Sequence, residues 1–302
     1  MSKKLLFIFN PHSGKGRIRT FLFEIVDIFT KGGFEVTVYP TQNPGDCTER
    51  VCRLEESFNI IVVSGGDGTL KEAVSGMLIL EPERRRPIGY IPAGTMNDFA
   101  SGNGIPKIMT DAADAIILGQ HVRYDIGKFN SNSFIYVAAF GAFTDVPYDT
   151  PQYAKNILGP AAYFLEGIKR LPKIKGVNVK IDTYEGETIE EDVLICLIMN
   201  STSVAGFEIS EFYDNIDTND GLFEIVLIPK TENILDVASV ITNIKNGERD
   251  KDGIRVISTR GAKITTDEPV RWTLDGEFGG EETEVDFEVI HDAVDFIISK
   301  DS

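Results

Sequence analysis

The sequence of 302 residues contains only three cysteines, three histidines and one tryptophan. Cys47, Cys52 and Cys196 form no CxxC pair, so we expect reduced thiols and neither disulfides nor structural zinc. The histidines are scattered along the chain and offer no metal-ligand spacing. These shortages argue against a fold that depends on disulfide bonds or on a zinc site.

Positive charge and long apolar runs are also scarce. Lys and Arg number 30 against 47 Asp and Glu, which gives a net charge of −17. This balance argues against a nucleic-acid partner, because such partners require a broad basic surface. No apolar run approaches the roughly 18 residues of a membrane span, and the run Leu5–Phe9 is too short for a signal peptide. We therefore expect a cytoplasmic protein.

The chain is long enough for two domains, and its pattern changes near Asp125. Residues 1–124 alternate strand-like and helix-like segments, which predicts a Rossmann-like parallel α/β domain. The segment 291–302 could complete that domain. Residues 125–290 form short β-rich segments between polar turns, which is typical of an antiparallel β-sandwich. Two helices, at Gly159–Leu171 and Asn233–Asn246, are predicted to interrupt these strands.

A glycine-rich turn follows the third predicted strand, Asn59–Val63. It reads Gly65-Gly66-Asp67-Gly68-Thr69 and is followed by a predicted helix. Glycines allow backbone N–H groups to approach phosphate oxygens, and a helix N-terminus attracts negative charge. Asp67 would repel phosphate unless Mg²⁺ or water lies between them. The alternative reading is a tight turn in which Asp67 caps the helix.

Two similar turns follow the first and fourth predicted strands, Lys4–Phe9 and Ile88–Ile91. The first runs from Asn10 to Lys15, whose side chain could neutralise phosphate, and the other runs from Pro92 to Asp98. In the second turn Thr95 could cap the next helix, while Asn97 and Asp98 could face a nucleotide. Either turn alone could be a plain loop. Because ligands bind at the carboxyl ends of parallel strands, we expect the three turns to line one nucleotide cleft.

The order of these motifs resembles that of the diacylglycerol kinase catalytic domain superfamily. The resemblance rests on NPxSGK, GGDGT with Glu72, PxGTxNDF and then Asp125-Ile126-Gly127. It is greatest to the bacterial soluble diacylglycerol kinases and related lipid kinases. It implies an ATP site in the cleft between the domains, Mg²⁺ dependence, and transfer of the γ-phosphate to the hydroxyl of diacylglycerol or a related lipid. The product would be phosphatidic acid or its analogue.

The resemblance also assigns catalytic roles to four acidic residues. Leu274–Phe278 is similar to the family's DGE segment, which makes Glu277 the general base on the lipid hydroxyl. Without the resemblance, its Asp-Gly pair is an ordinary hairpin turn. Asp67, Asp98 and Asp125 are expected to form a carboxylate and water network that reaches the catalytic Mg²⁺. Asp125 could instead cap a turn at the domain hinge.

Nucleotide contacts and a second metal site follow from the same resemblance. The nucleotide contacts fall in or beside the strand-end turns, at Asn10, Pro11, His12, Ser13, Gly14, Thr41, Gly66, Asp67, Gly68, Thr69, Leu70, Lys71, Glu72 and Thr95. The loop at residues 217–222 resembles the family's structural-magnesium loop, with oxygen ligands from Asp217, Asp220 and Leu222. Asn219 departs from the usual pair of aspartates there. The alternative is a solvated turn before the strand at Phe223.

Membrane lipid is the second expected partner, reached by transient peripheral contact at the inner face of the cell membrane. The segment Gly159–Gly176 could be an amphipathic helix with a basic end that rests on that surface, or a surface helix packed on the second domain. The shorter basic run Arg84–Arg86 is interpreted as a solvated loop. The sequence does not distinguish among acceptor lipids, or between a monomer and a homodimer.

Two other functions compete with a lipid kinase. An NAD kinase would share GGDGT and the two-domain plan, but the PxGTxNDF segment disfavours it. A nucleotide-binding regulatory protein without catalysis would be free to lose Asp67, Asp125 and Glu277, all of which are present.

Overall fold

The structure is a computed structural model that describes residues 3–141, 176–200, 203–204, 207–208, 218–230 and 254–299. The chain divides into two compact units, Met1–Asp125 with His291–Ser302, and Ile126–Ile290. The predicted helices Gly159–Leu171 and Asn233–Asn246 lie outside the described residues. Within the described ranges, no helix is long and apolar enough to cross a membrane.

The first unit is built from parallel strands and the helices between them. In chain order its elements are β1 (Lys3–Phe9), α1 (Ile18–Lys31), β2 (Phe34–Pro40), α2 (Asp46–Cys52), β3 (Ile60–Gly65), α3 (Asp67–Ile79), β4 (Ile88–Pro92), α4 (Asp98–Gly102) and α5 (Met109–Leu118), with short 3₁₀ turns at Ser13–Gly16 and Pro82–Arg84. The strand order is β2-β1-β3-β4, and every one of these pairings is parallel. Strands β3 and β4 are completely buried, as expected for a parallel sheet covered on both faces.

The second unit consists mostly of antiparallel strands. These are β5 (Gln120–Phe129, which begins in the first unit), β6 (Asn132–Phe134), β7 (Val137–Gly141), β8 (Val177–Thr183), β9 (Thr188–Met199), β10 (Ser203–Val204), β11 (Phe207–Glu208), β12 (Phe223–Pro229), β13 (Arg255–Thr259), β14 (Gly261–Leu274) and β15 (Glu277–Ile298). The order β13-β12-β9-β7-β14-β15 has antiparallel pairs throughout. The predicted mixture of helices with many strands, most of them antiparallel, is therefore observed.

An aromatic cluster fixes the core of the second unit. Trp272 is fully buried, and its ring lies 4.8 Å from the ring centroids of both Phe129 and Phe140 in edge-to-face geometry. Such aromatic pairs contribute about 0.5–1.5 kcal/mol each beyond their buried area. They hold the end of β14 against β5 and β7, next to the hairpin that leads into β15.

Strand β15 continues from the second unit into the first. Its residues from His291 onward belong to the first unit, where Phe296 pairs in parallel with Ile88 of β4. The rings of Phe99, Tyr124 and Phe296 pack together there, with centroids 4.6 to 5.6 Å apart. The extension of the sheet lies within the segment 291–302, which the sequence predicts to complete the first domain.

The basic run Arg84–Arg86 is solvated only at Arg84, which is exposed, whereas Arg85 and Arg86 are half-buried, so the interpretation as a solvated loop is wrong for these two residues. Arg85 Nη1 donates to the backbone oxygen of Ala293 at 2.9 Å. Arg86 Nε donates to the backbone oxygen of Phe58, also at 2.9 Å. The guanidinium groups therefore bind the turn before β4 to other segments of the first unit.

Candidate active site

Three strand-end turns of the first unit pack against one another without room for side chains. A Cβ atom on Gly14 would lie 2.0 Å from the backbone oxygen of Ala93. A Cβ atom on Gly94 would lie 2.6 Å from Cα of Gly66. Side chains essentially never come so close to backbone atoms, so glycine is required at both contacts. The turns after β1, β3 and β4 are thus brought together, as the sequence predicted.

Backbone hydrogen bonds join the same turns. Asn10 N donates to the oxygen of Ser64 at 2.9 Å, and Ala93 N donates to the oxygen of Gly65 at 2.7 Å. The buried hydroxyl of Tyr90 also donates to the Gly65 oxygen, at 3.1 Å. The end of β3 is therefore held on both sides by its two neighbours.

The turn after β1 has an uncommon backbone conformation. Gly14, Lys15 and Gly16 are all left-handed, with φ of +53, +63 and +74 degrees. A left-handed conformation strains Lys15, which has a Cβ atom, and strain of this kind is concentrated at functional sites. The side-chain oxygen of Asn10 accepts the N–H of His12 at 2.9 Å and stabilises the start of the turn.

The turn after β3 leads directly into α3. Thr69 lies over Gly65, because a Cβ atom on that glycine would meet Thr69 Oγ1 at 2.3 Å. The N-cap residue is Gly66, with no side-chain cap, so the reading of Asp67 as a helix cap is wrong. Of the predicted nucleotide residues, Pro11, His12 and Ser13 lie in the first turn, and Gly68, Leu70 and Lys71 lie at the start of α3.

Two acidic residues lie at the N-termini of successive helices. Asp67 begins α3 and Asp98 begins α4, and Asp67 Oδ1 accepts the N–H of Phe99 at 3.4 Å. Burial raises the pKa of Asp67, although backbone N–H groups oppose the change. Burial and then the charge of Asp67 raise the pKa of Asp98 to about 6. The pair therefore favours a bound proton or cation.

The turn after β4 is stabilised by a side chain that the sequence reading assigned to the nucleotide. The Asn97 amide accepts the N–H of Gly94 at 2.8 Å and donates to the Gly94 oxygen at 3.0 Å. Asn97 is also the N-cap residue of α4, with φ of +54 degrees. Thr95 is exposed and does not cap that helix, so this alternative for Thr95 is wrong.

Glu72, a predicted nucleotide residue, has backbone partners in the structure. Its carboxylate accepts the N–H of Gly45 at 2.8 Å and that of Cys47 at 3.2 Å. These groups begin α2, where a negative charge is favoured by the helix dipole. Thr41 is buried beside the first turn, and its N–H donates to the oxygen of Phe9 at 2.9 Å.

Asp125 is fully buried in the first unit. Its Oδ1 atom lies 2.8 Å from Nδ1 of His291 and accepts the N–H of Asp292 at 2.8 Å. Sequence reasoning missed both partners, because they lie 166 and 167 residues further along the chain. In the part of the chain that the structure describes, no three His, Cys, Asp or Glu side chains form a group that could hold a metal. Asp67, Asp98 and Asp125 therefore do not form one by themselves.

In the second unit, a tight hairpin precedes Glu277. Leu274 pairs with Glu277 across Asp275 and Gly276, whose φ values are +53 and +79 degrees. Two left-handed central residues are the geometry of a type I′ turn, for which Asp-Gly is a preferred sequence. The side chain of Glu277 follows the turn and is exposed.

The Asp275 side chain has a structural role that the sequence did not reveal. It is buried, and its carboxylate accepts the N–H groups of Ile135, Tyr136 and Val137 at 2.9, 3.0 and 3.2 Å. Asp275 N in turn donates to the oxygen of Val137 at 2.8 Å. The hairpin is thereby fixed to the segment that joins β6 and β7.

The predicted structural-magnesium loop is described only in part. Asp217 lies outside the described residues. Asp220 Oδ1 accepts the N–H of Leu222 at 2.9 Å, and the Thr218 oxygen accepts a hydrogen bond from Asn200 Nδ2 at 3.2 Å. These bonds shape the loop before β12.

Glu224 is a further acidic residue beside this loop, and sequence reasoning missed it. It is 7% exposed. Its Oε2 atom is buried and has no hydrogen-bond partner among the residues that the structure describes, while Ser258 Oγ is 3.5 Å from Oε1. Burial and the charge of Asp220 raise the pKa of Glu224 to about 7. Carboxylate oxygens of this kind fit a hard cation such as Mg²⁺.

Comparisons with known proteins agree with these motifs. The family model of the diacylglycerol kinase catalytic domain matches residues 4–129. A diacylglycerol kinase of Staphylococcus carnosus is 37% identical over 284 residues, which are 93% of this chain and 90% of the relative. The chain belongs to the diacylglycerol kinase family. A second diacylglycerol kinase, from Staphylococcus saprophyticus, is 35% identical over 282 residues, with the same coverage.

Solved structures of kinases also align with nearly the whole chain. A diacylglycerol kinase structure from Bacillus anthracis aligns with a TM-score of 0.82 and 26% identity, over 99% of this chain and 98% of that one. A yeast NADH kinase complexed with NADH aligns with a TM-score of 0.54 and 10% identity, over 100% and 85% of the two chains, and this likeness concerns the fold alone. This diacylglycerol kinase family member is a lipid kinase, and the NAD kinase and non-catalytic alternatives are not favoured.

Proposed function

We propose that this lipid kinase transfers the γ-phosphate of ATP to the hydroxyl of diacylglycerol or a related lipid, giving phosphatidic acid or its analogue. The observation that carries the proposal is the contact of Gly14 with Ala93 and of Gly66 with Gly94. These contacts bring three backbone turns and the N-terminus of α3 together. Glycine turns at a helix N-terminus suit phosphate groups, because the backbone N–H groups and the helix dipole attract negative charge.

In this proposal the turns hold ATP. The segments 10–14 and 66–70 would surround the phosphates, with the N–H groups of Gly14 and Gly68 as donors and the exposed Thr95 beside them. Thr41 is buried and directly follows β2, the strand beside β1, which Asn10 follows. Thr41 would contact the nucleotide away from the phosphates. Glu72 would act indirectly, because its carboxylate binds the start of α2.

Acidic residues would serve the Mg²⁺ that accompanies ATP. Asp67 and Asp98 form a half-buried pair with raised pKa values, which favours a cation nearby. Asp125 would complete the set through ordered water. When bound, Mg²⁺ neutralises charge on the transferred phosphate. A second Mg²⁺ would be held by Asp217, Asp220 and the Leu222 oxygen, where the buried Glu224 offers a further oxygen.

Glu277 would be the general base. Its exposed carboxylate would accept the proton of the lipid hydroxyl while the hydroxyl oxygen attacks the γ-phosphorus and ADP leaves. The anchored turn at Asp275 supports this role, because a base must keep a fixed position relative to the attacking oxygen.

A kinase assay with radiolabelled ATP and diacylglycerol in mixed micelles tests the proposal. We expect labelled phosphatidic acid from the wild-type enzyme and a loss of about 100-fold or more in kcat for Glu277→Gln, the range of general-base removal. Glu281→Gln, an exposed residue of the same strand, is the control. Full turnover by Glu277→Gln would show that Glu277 is not the base, and phosphorylation of NAD with inert lipids would overturn the proposal.

The acceptor lipid and the membrane contact need a separate experiment. Extracted total lipid, labelled by the enzyme and separated, would identify the acceptor by its product. Sedimentation with anionic and neutral vesicles would test peripheral contact. The segment Gly159–Gly176, proposed for this contact, falls almost entirely outside the described residues. Size-exclusion chromatography with light scattering would distinguish between a monomer and a homodimer.

A further inference from the structure

Two donors converge on one oxygen of a fully buried carboxylate. Oδ1 of Asp125 accepts the N–H of Asp292 at 2.8 Å and lies 2.8 Å from Nδ1 of His291. A carboxylate can only accept at this distance, so the imidazole donates from Nδ1. Asp125 and His291 are also the residues at which the chain leaves and re-enters the first unit.

The backbone at Asp292 is strained in a way that serves this arrangement. Asp292 has φ of +53 degrees within β15, a left-handed conformation that is disfavoured for a residue with a Cβ atom. Such a conformation persists only where its surroundings stabilise it. With this conformation at Asp292, its backbone N–H and the imidazole of the preceding residue both reach the same oxygen of Asp125.

The side chain of Asp292 has a partner of its own. Its Oδ2 atom lies 3.6 Å from Nη1 of Arg123, two residues before Asp125 in β5. Asp292 therefore contacts Asp125 through its backbone N–H, while its side chain pairs with Arg123. The ring of His291 is half-exposed, so one edge contacts the buried carboxylate while the rest lies at the surface.

We propose that His291 is a positioning residue, which together with the Asp292 N–H fixes the Asp125 carboxylate for the Mg²⁺–nucleotide complex. This inference rests on the proposed function, in which Asp125 acts toward that complex. Two donors on Oδ1 prevent the carboxylate from rotating, so it presents a constant face. Loss of the His291 donor would loosen the orientation of the carboxylate and weaken every interaction that depends on it.

The test uses three variants of the full chain. His291→Leu removes the donor, and His291→Asn replaces Nδ1 by an amide donor at a similar distance from the backbone. His121→Leu is the matched control, because His121 Nδ1 lies 2.8 Å from Oδ2 of Asp295 in the same unit, in an exposed pair with no proposed role. The measurements are kcat, KM for ATP and the Mg²⁺ concentration for half-maximal rate, at a temperature well below every Tm. The Mg²⁺-dependent rise in Tm with ATP present is measured without lipid.

We expect His291→Leu to lower kcat and to raise the half-maximal Mg²⁺ concentration, each about tenfold or more, the range for loss of a partner that orients a metal-site carboxylate. His291→Asn is expected to keep kcat and the half-maximal Mg²⁺ concentration close to the wild-type values, and His121→Leu to match the wild type. Unchanged Mg²⁺ dependence in His291→Leu with only a lower Tm would mean a structural role and would overturn the inference.

A double variant shows whether His291 acts through Asp125. If it does, Asp125→Asn combined with His291→Leu has the same kcat as Asp125→Asn alone, whereas multiplied losses would contradict the inference. Full activity of Asp125→Asn would overturn the inference, whereas no turnover of any lipid by the wild type would instead overturn the proposed function. In that case the inference fails only if His291→Leu leaves the Mg²⁺-dependent rise in Tm unchanged.

Discussion

The carboxylate of Asp275 accepts a hydrogen bond from the backbone N–H of Tyr136 at 3.0 Å, inside the second unit. The N–H groups of Ile135 and Val137 donate to the same carboxylate. Three consecutive backbone donors, 138 to 140 residues away in sequence, are satisfied by one side chain. The turn before Glu277 is therefore anchored by a long-range interaction.

Replacement of Asp275 by Asn is expected to lower the free energy of unfolding by about 1–3 kcal/mol, since a buried donor loses its acceptor. An Asn oxygen can still accept, but its NH₂ group faces N–H groups that are also donors. Urea unfolding at neutral pH measures the change. Asp267→Asn, at an exposed position of β14, is the control, and equal midpoints for the two variants would contradict the structural role.

Replacement of Gly14 by Ala is expected to raise KM for ATP about tenfold or more, equivalent to about 1.4 kcal/mol of lost binding. The added methyl group would lie 2.0 Å from the Ala93 oxygen, so the first and third turns must separate. Gly33→Ala is the matched control, because Gly33 is also left-handed, with φ of +86 degrees, but has open space around its Cβ position. Steady-state kinetics compares the two, and an equal KM would show that the turn contact does not shape the nucleotide site.

Replacement of Asp98 by Asn is expected to change how stability depends on pH in metal-free buffer. The folded protein raises the pKa of Asp98 from 3.8 to about 6. The folded state therefore binds this proton more tightly, and stability is lost as pH rises through that interval. After allowance for the partial exposure of the side chain, the variant gains about 1–2 kcal/mol over the wild type at pH 8 and nothing near pH 4.

Thermal unfolding across this pH range measures the difference for Asp98. The exposed Asp114→Asn serves as the control. A gain that is the same at pH 4 and pH 8 would rule out titration of Asp98 as the cause.

Replacement of Glu224 by Gln tests the acidic group beside the predicted metal loop. Its pKa rises from 4.5 to about 7 in the folded protein, so its contribution to stability also falls as pH rises through that interval. With EDTA present, the variant is expected to be more stable than the wild type at pH 8.5, by about 1–3 kcal/mol. Added Mg²⁺ is expected to raise the Tm of the wild type more than that of the variant, because the charged carboxylate assists the cation.

Differential scanning calorimetry with EDTA and then with excess Mg²⁺ measures both effects at Glu224. Glu190→Gln, at an exposed position of β9, is the control. A variant less stable than the wild type in EDTA at pH 8.5 would contradict the prediction.

Local patterns in the sequence predicted the elements that depend on local properties. The apolar runs at Lys4–Phe9 and Asn59–Val63 correspond to β1 and β3, and the glycine turns after them lie where parallel strands require. Strand β14 continues through the polar stretch between Thr266 and Val270 with a shift in register, which no local pattern specifies. A bulge of this kind keeps a strand continuous while its side-chain alternation changes.

Residues whose partners lie far away in sequence could not be predicted. Nothing near Asp125 indicates that His291 and Asp292 would donate to it. Glu72 was expected at the nucleotide, yet its carboxylate binds N–H groups at the start of α2. Spacing identifies a polar side chain but does not identify which of many backbone groups it will satisfy, because that choice depends on the tertiary fold.

The inward hydrogen bonds of Arg85 and Arg86 have a consequence for adsorption to a bilayer. Guanidinium N–H groups that already donate to the oxygens of Ala293 and Phe58 are not available to lipid phosphates. The run keeps its three positive charges, but on a chain with a net charge of −17 they offset only part of the repulsion from an anionic surface. Since salt screens that repulsion over distances of about 10 Å at 0.1 M, higher ionic strength favours the approach of this enzyme to acidic lipid.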